Sequence, residues 1–212
     1  MSLCAIIPIK PLKRGKSRLS DVLSQEKREE LNRYLLSYTL QCLKNIKTID
    51  HIIVISHDPL ALTLARNFGA KTVLENRNSN INRALHKATM AAMGINSSKI
   101  LIIPADLPLL TSEDILAVIK ESGNPPEIVI VPDRKKSGTN VLLINPIGTI
   151  KYEFGECSFK KHLKQAEKKK INIKICKREN LSFDLDLPED WDILKTSMIN
   201  NSDFVNCITQ EV

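Results

Sequence analysis

Aromatic residues are scarce in this chain: 4% of 212 residues, namely five Phe, three Tyr and one Trp. A protein that stacks successive bases of a single strand needs aromatic platforms along its groove, and this composition supplies too few. Cysteines number five (Cys4, Cys42, Cys157, Cys176 and Cys207) with no C-x-x-C pair. An odd, scattered set argues for reduced thiols and against a disulfide framework or a zinc site. The four histidines show no H-E-x-x-H spacing either, so zinc chemistry is set aside. No apolar run approaches the roughly 20 residues that span a bilayer. The start, Met1-Ser-Leu-Cys-Ala-Ile-Ile-Pro8, lacks a signal peptide's basic start and long apolar core. It reads as a first strand, and the expected location is cytoplasmic. The glycine that a P-loop needs is missing too. Gly15-Lys16-Ser17 copies the end of G-x-x-x-x-G-K-[ST], but Lys10 stands where the first glycine belongs.

What is present is ordinary for a soluble domain: 42% hydrophobic and 26% charged residues. The length suits one substantial domain, expected over residues 1–199, with 200–212 as an aperiodic tail. The net charge of +7 is compatible with nucleic acid, acidic lipid or a phosphate-rich small substrate. The longest basic run, Lys168-Lys169-Lys170, ends a predicted helix, where cations complement the helix dipole.

Strand and helix signals alternate along the chain. Strands are expected at Cys4–Ile9, His51–Ser56, Lys71–Glu75, Lys99–Asp106, Glu127–Pro132, Asn140–Asn145 and Asn172–Cys176. Between them, Ser24 caps a helix whose apolar face is Leu31, Leu35, Tyr38, Cys42 and Ile46. Asp58 and Pro59 open another helix, and Gly69 closes it. Asn80–Met93 is helical with Ile81, Leu85, Ala88 and Ala92 inward, and Thr111 caps a further helix. Ser158–Lys170 and a segment from Pro188 complete the helices. Such repeated strand–helix–strand units predict a three-layer α/β/α domain with a mainly parallel, mixed sheet.

The most informative stretch is Lys99-Ile-Leu-Ile-Ile-Pro-Ala-Asp106-Leu-Pro108, a doubly buried strand running into an acid. The carboxyl ends of strands are where open α/β sheets bind ligands. A second acidic site is Asp184-Leu185-Asp186, where spacing by two in a strand sends both carboxylates to one side. Carboxylates so close repel unless a cation lies between them. Oxygen donors without histidine or thiolate suit magnesium or manganese. The segment Lys10-Pro-Leu-Lys13-Arg14-Gly15-Lys16-Ser17-Arg18 places five cations just after the first strand. Lys10, Lys16 and Arg18 are candidates to face a triphosphate, with Lys13 and Arg14 left to solvent. Asn82 is a candidate for a base or ribose contact, while Asn80 is explained by capping. Lys136-Ser-Gly138-Thr139-Asn140 enters a strand with small, hydrogen-bonding residues, and the Phe154–Phe159 segment opens a helix, offering N–H groups to a second anion.

Together these residues resemble the archaeal 2-phospho-L-lactate guanylyltransferase family, which makes the deazaflavin coenzyme of methanogens. The resemblance covers residues 1–195. It rests on P-x-K-P-x-x-x-x-K-S-R-L (Pro8–Leu19), P-A-D-L-P (104–108) and Gly138-Thr139. F-G-x-x-S-F-x-x-H (Phe154–His162) and D-x-D-x-P-E-D (Asp184–Asp190) complete it. The resemblance implies a glycosyltransferase-A-like, nucleotide-diphospho-sugar transferase fold and transfer of GMP from GTP to 2-phospho-L-lactate. Bacterial relatives use phosphoenolpyruvate. On the same basis Asp106, Asp184 and Asp186 are implied metal ligands, and Thr139, Gly155 and Ser158 implied contacts to the phospho-acid. Asn140 departs from the threonine that some relatives carry there, and a homodimer is a family expectation. Asp106 and Lys16 are then the expected catalytic residues. Three other readings stand at this point: a sugar transferase using D-x-D, a basic nucleic-acid-binding protein, and an inactive nucleotide-binding α/β protein.

Overall fold

The computed structural model describes residues 2–76 and 79–197. The expected tail at 200–212 and Cys207 lie outside the described residues. Seven strands form one sheet: β1 (Ser2–Pro8), β2 (His51–Ser56), β3 (Lys71–Leu74), β4 (Ser97–Ile102), β5 (Glu127–Pro132), β6 (Thr139–Asn145) and β7 (Asn172–Ile175). Their order is β3-β2-β1-β4-β6-β5-β7. β6 runs antiparallel to both of its neighbours, and the other pairings are parallel. The sheet is thus mixed and mainly parallel.

Residue alternation in the central strand divides the core between the two faces. Leu3, Ala5 and Ile7 of β1 pack beneath Leu36, Leu40 and Leu43 of α1 (Gln25–Lys44), Ala61 and Ala65 of α2 (Pro59–Asn67), and Ile115 and Val118 of α4 (Ser112–Glu121). Cys4 and Ile6 pack on the other face. There they meet Leu85, Ala88 and Ala92 of α3 (Ile81–Gly94), and Phe159 and Ala166 of α5 (Ser158–Lys169). Side chains alternate across a strand, so a doubly buried strand must be apolar at every position. A smaller cluster joins Leu19, Leu31 and Leu35 to Phe183, Leu185, Trp191 and Leu194. The last two belong to α7 (Pro188–Ser197).

The capping signals act as read. Ser24, Asp58, Asn80 and Thr111 each accept a backbone N–H of the helix they open. The four cysteines among the described residues are free thiols. No helix of the described residues is long and apolar enough to cross a membrane.

Several boundaries differ from expectation for identifiable reasons. β4 ends at Ile102, and Asp106 lies on the loop beyond it; Ile103 still donates to Ile6 O, but Pro104 has no N–H to continue the ladder. The apolar face of α1 is centred on Leu36, Leu40 and Leu43, leaving Tyr38 and Cys42 half-buried. Ile81, expected inward, is 42% exposed because it walls the cavities described below. Asp184 and Asp186 sit on an extended loop, not in a strand, after a short helix α6 (Glu179–Ser182) that the periodicity did not reveal. That loop nevertheless alternates: Phe183 and Leu185 are buried while the two aspartates face the other way. Burying Leu185 contributes about 2 kcal/mol, so the apolar residues of the loop hold the acids outward.

Candidate active site

The basic segment after β1 is an ordered turn. Arg14 and Gly15 both donate to Pro11 O, at 2.9 and 3.0 Å. Leu12 N donates to Asp58 Oδ2 at 2.8 Å, and Asn32 Nδ2 donates to Leu12 O at 2.7 Å. Asp58 thus caps α2 with one oxygen and anchors the loop with the other. Gly15 is required by space: a Cβ there would lie 2.5 Å from Asn32 Nδ2. Lys16 follows in the left-handed region, at φ 57°, and its side chain is buried whereas Lys13 and Arg14 are exposed.

The Lys16 ammonium lies 3.3 Å from Asp106 Oδ2 and 3.5 Å from Asp186 Oδ1. Arg18 Nη1 is 3.6 Å from Asp186 Oδ2. The loops after β1 and β4 and the loop before α7 therefore converge. Leu185 N donates to Asp106 O at 3.0 Å, fastening the two acidic loops together. Asp190 completes the arrangement. Its Oδ2 accepts from Asp186 N at 3.0 Å and Leu187 N at 2.8 Å, and its Oδ1 pairs with Arg134. That is half of a capping box, the third helical residue reaching back to the helix start. Arg134 in turn stacks 4.5 Å above the Phe183 ring. The acidic residue three positions beyond Leu187 is the sequence signal for this role.

Asp184 is half-buried, and its carboxyl is pushed above the usual range by burial and by the charges of Asp106 and Asp186, with Asn140 hydrogen-bonding it in the opposite sense. Asp106 Oδ1 is buried without a hydrogen-bond partner. An orphaned acceptor and a carboxylate crowded by like charges, in an all-oxygen set, are what a hard dication relieves. Among the described residues no three potential ligands are drawn together tightly enough to hold an ion as they stand. The Lys16 ammonium lies between two of them instead.

Two cavities meet at this point. The larger, about 370 Å³, is lined by Lys10, Gly15, Lys16, His57, Glu75 and Ile81 among others. The smaller, about 220 Å³, is lined by Asp133, Gly138, Thr139, Gly155, Ser158 and Asp184 among others. Pro8, Ile81, Pro104 and Asp106 border both. Gly155 has φ +113°, open only to glycine, and turns the chain into α5. The positive end of that helix faces the smaller cavity through Ser158. Gly138 approaches Asp133 closely; a Cβ would meet its Oδ2 at 3.0 Å.

Two polar contacts shape the smaller cavity. Asn82 donates to Phe154 O at 3.1 Å and accepts Phe154 N–H at 2.8 Å. Its amide, expected against a base or ribose, is engaged by the loop leading into α5. Asn82→Ala is therefore expected to raise KM for the ligand of the smaller cavity roughly tenfold through two lost hydrogen bonds, and to leave KM for the larger cavity's ligand nearly unchanged. Steady-state kinetics in each substrate checks this. His162 is fully buried, and desolvation lowers its pKa to about 4. Its Nε2 accepts Glu153 N–H at 3.2 Å, so in the neutral ring the proton resides on Nδ1 and is donated to Thr139 Oγ1 at 3.1 Å. Thr139 is then free to donate its own hydroxyl hydrogen into the cavity it lines.

The same histidine makes stability depend on pH. Its folded pKa lies below the unfolded value of 6.5, so the unfolded chain binds the extra proton. The contribution is complete above pH 6.5 and is lost as pH falls toward 4, by about 3 kcal/mol at most. Thermal melts between pH 7 and pH 4 should show this fall, and His162→Gln should flatten it.

Residues 3–206 match the model of the family "Guanylyl transferase CofC like". The chain is 36% identical over 197 residues to the phosphoenolpyruvate guanylyltransferase of Rubrobacter xylanophilus, covering 93% of this chain and 95% of the relative. It is 34% identical over 185 residues to the 2-phospho-L-lactate guanylyltransferase of Methanobrevibacter smithii, covering 87% and 80% respectively. A structure described as a nucleotide-diphospho-sugar transferase of Desulfovibrio desulfuricans superposes with a TM-score of 0.75 at 14% identity, over 97% of this chain and 91% of that one. A nucleotidyl transferase from Methanothermobacter gives 0.67 at 10% identity, over 95% and 99%. The structural likenesses give the nucleotide-diphospho-sugar transferase fold, and the sequence matches give the enzyme class. The chain belongs to the CofC-like guanylyltransferase family, and is a nucleotidyltransferase.

Proposed function

We propose that this enzyme transfers GMP from GTP to the phosphate of 2-phospho-L-lactate, giving lactyl-2-diphospho-5′-guanosine and diphosphate. The observation that carries this reading is the junction of two cavities at Asp106, one beside the basic loop and one beside a helix N-terminus. A triphosphate in the larger cavity and a phospho-acid in the smaller would meet with their charged ends at that residue.

An acceptor phosphate oxygen attacks the α-phosphorus of GTP; the bond from that phosphorus to the β-phosphate oxygen breaks, and diphosphate leaves. A phosphate monoester has its second pKa near about 6, so the nucleophile is already ionised and needs no general base. His162 suits this, since both of its ring nitrogens are occupied structurally. The obstacle is repulsion between two anions. Lys10, Lys16 and Arg18 supply positive charge to the β- and γ-phosphates as the leaving group gains charge. The start of α5, with Ser158 and the Thr139 hydroxyl, orients the acceptor. Magnesium, or manganese in its place, would be held by Asp106, Asp184 and Asp186 and would supply charge neutralisation between the substrates. Catalysis on this scheme is positioning and charge compensation.

Phosphoenolpyruvate is the second reading, favoured by the Rubrobacter relative's name and its 95% coverage. Both acceptors carry a carboxylate beside a phosphate. Diphosphate release is to be measured with each of the four nucleoside triphosphates, with magnesium, and with each phospho-acid or none. Release that requires GTP and 2-phospho-L-lactate together supports the proposal. Release only with phosphoenolpyruvate moves the acceptor, and none with any pair overturns the reading.

A further inference from the structure

One acidic side chain in the larger cavity has no part in the chemistry above. Glu75 directly follows β3, and its backbone N–H donates to Ser56 O at 2.8 Å, which ties it to the end of β2. Its side chain is only 14% exposed, with Oε2 3.8 Å from His57 Nδ1. Both side chains line the cavity, where Ile9, Ile81 and Ala84 supply apolar walls. We propose that Glu75 selects guanine, its two carboxylate oxygens accepting the N1–H and the exocyclic N2–H of the base. The proposal rests on GTP being the substrate of the larger cavity.

Position favours the base over the ribose or the phosphates. In the order β3-β2-β1-β4, three steps separate the strand behind Glu75 from the strand behind Asp106. Adjacent strands lie about 4.8 Å apart, so the two strand ends are roughly 14 Å apart. With the α-phosphorus at Asp106 and the remaining phosphates along the basic loop, the far edge of the base reaches the end of β3. The ribose lies between.

Chemistry favours guanine among the bases. Guanine alone presents two parallel donors on its Watson–Crick edge, matching an acceptor-only group with two oxygens. Adenine and cytosine each turn a ring acceptor toward the carboxylate. Uracil flanks its single donor with two carbonyls. A wrong base therefore leaves a poorly solvated carboxylate unpaired, the situation in which polar sites discriminate most strongly. His57, 3.8 Å away, lines the same cavity beside the carboxylate.

Glu75→Gln makes the assignment testable by gain as well as loss. Glutamine keeps one acceptor and replaces the other with a donor, which suits xanthine, where a carbonyl replaces the guanine amine. Calorimetric binding of GTP, XTP, ITP and ATP is measured for wild type and variant, without acceptor, alongside thermal midpoints. Wild type should prefer GTP, with ITP weaker by roughly tenfold for the missing amine, and the variant should lose roughly tenfold to a hundredfold in GTP affinity while preferring XTP. A folded variant that keeps the wild-type order of GTP over XTP overturns the role of Glu75 and leaves the proposed function standing. Wild type binding all four triphosphates equally removes the GTP reading and this proposal together. If the variant melts early, the wild-type GTP-to-ITP ratio decides: equal affinities sink the bidentate contact.

Discussion

Replacing Asp106 with Asn is expected to lower kcat by about a hundredfold or more, as loss of a preorganised electrostatic group does elsewhere. The thermal midpoint should stay close to the wild type's. Asp106 borders both cavities, so its charge lies where the reacting phosphates meet. One oxygen pairs with Lys16 at 3.3 Å, and the other is buried without a partner. The side chain is 35% exposed, so its ion pair contributes little to stability. Removing the charge therefore affects chemistry far more than folding. Turnover within a fewfold of wild type would remove Asp106 from the mechanism. Loss of folding would mean that Leu185 N and the Asp106 loop depend on its side chain after all.

The second large effect is at Lys16. Lys16→Met keeps the unbranched stem of the side chain and removes its charged end, and should reduce kcat/KM for GTP by about a hundredfold, mostly through KM. The side chain is 6% exposed, and its ammonium is the nearest counter-charge of both Asp106 and Asp186. Without it the acids repel each other and the incoming phosphates alike. Lys16→Arg returns the charge and should recover part of the affinity. Kinetics with GTP as the varied substrate checks both variants, and an unchanged KM in Lys16→Met would assign the loop another role.

Much of this architecture was legible in the chain because its signals are local. The run Ile100–Ile103 and the pattern at His51–Ser56 announce doubly buried strands, and Ser24, Asp58, Asn80 and Thr111 announce helix starts. What the sequence could not show depends on contacts between distant segments. That Lys16 would lie between Asp106 and Asp186, 90 and 170 residues away, has no periodic signature. Asn82 reads as a ligand contact because a polar residue at a helix start near a strand end suits both roles; its pairing with Phe154 is visible only in the fold. Glu75 carries no local signal, because a lone acid at the end of a short edge strand resembles any solvated turn. Ile81 misled for the opposite reason: helical spacing predicts an inward face, and a binding cavity exposes apolar side chains by design.

The assignment of the reaction rests on attack at the α-phosphorus by a phosphate already ionised, and phosphorus NMR of the complete mixture tests that most directly. With enzyme, magnesium, GTP and 2-phospho-L-lactate, the mechanism predicts that the acceptor's monoester resonance disappears. A pair of mutually coupled signals for a new diphosphate diester should replace it, with diphosphate formed in equal amount. Appearance of GDP and inorganic phosphate, or GMP and diphosphate with the acceptor unchanged, would show water as the nucleophile and contradict it.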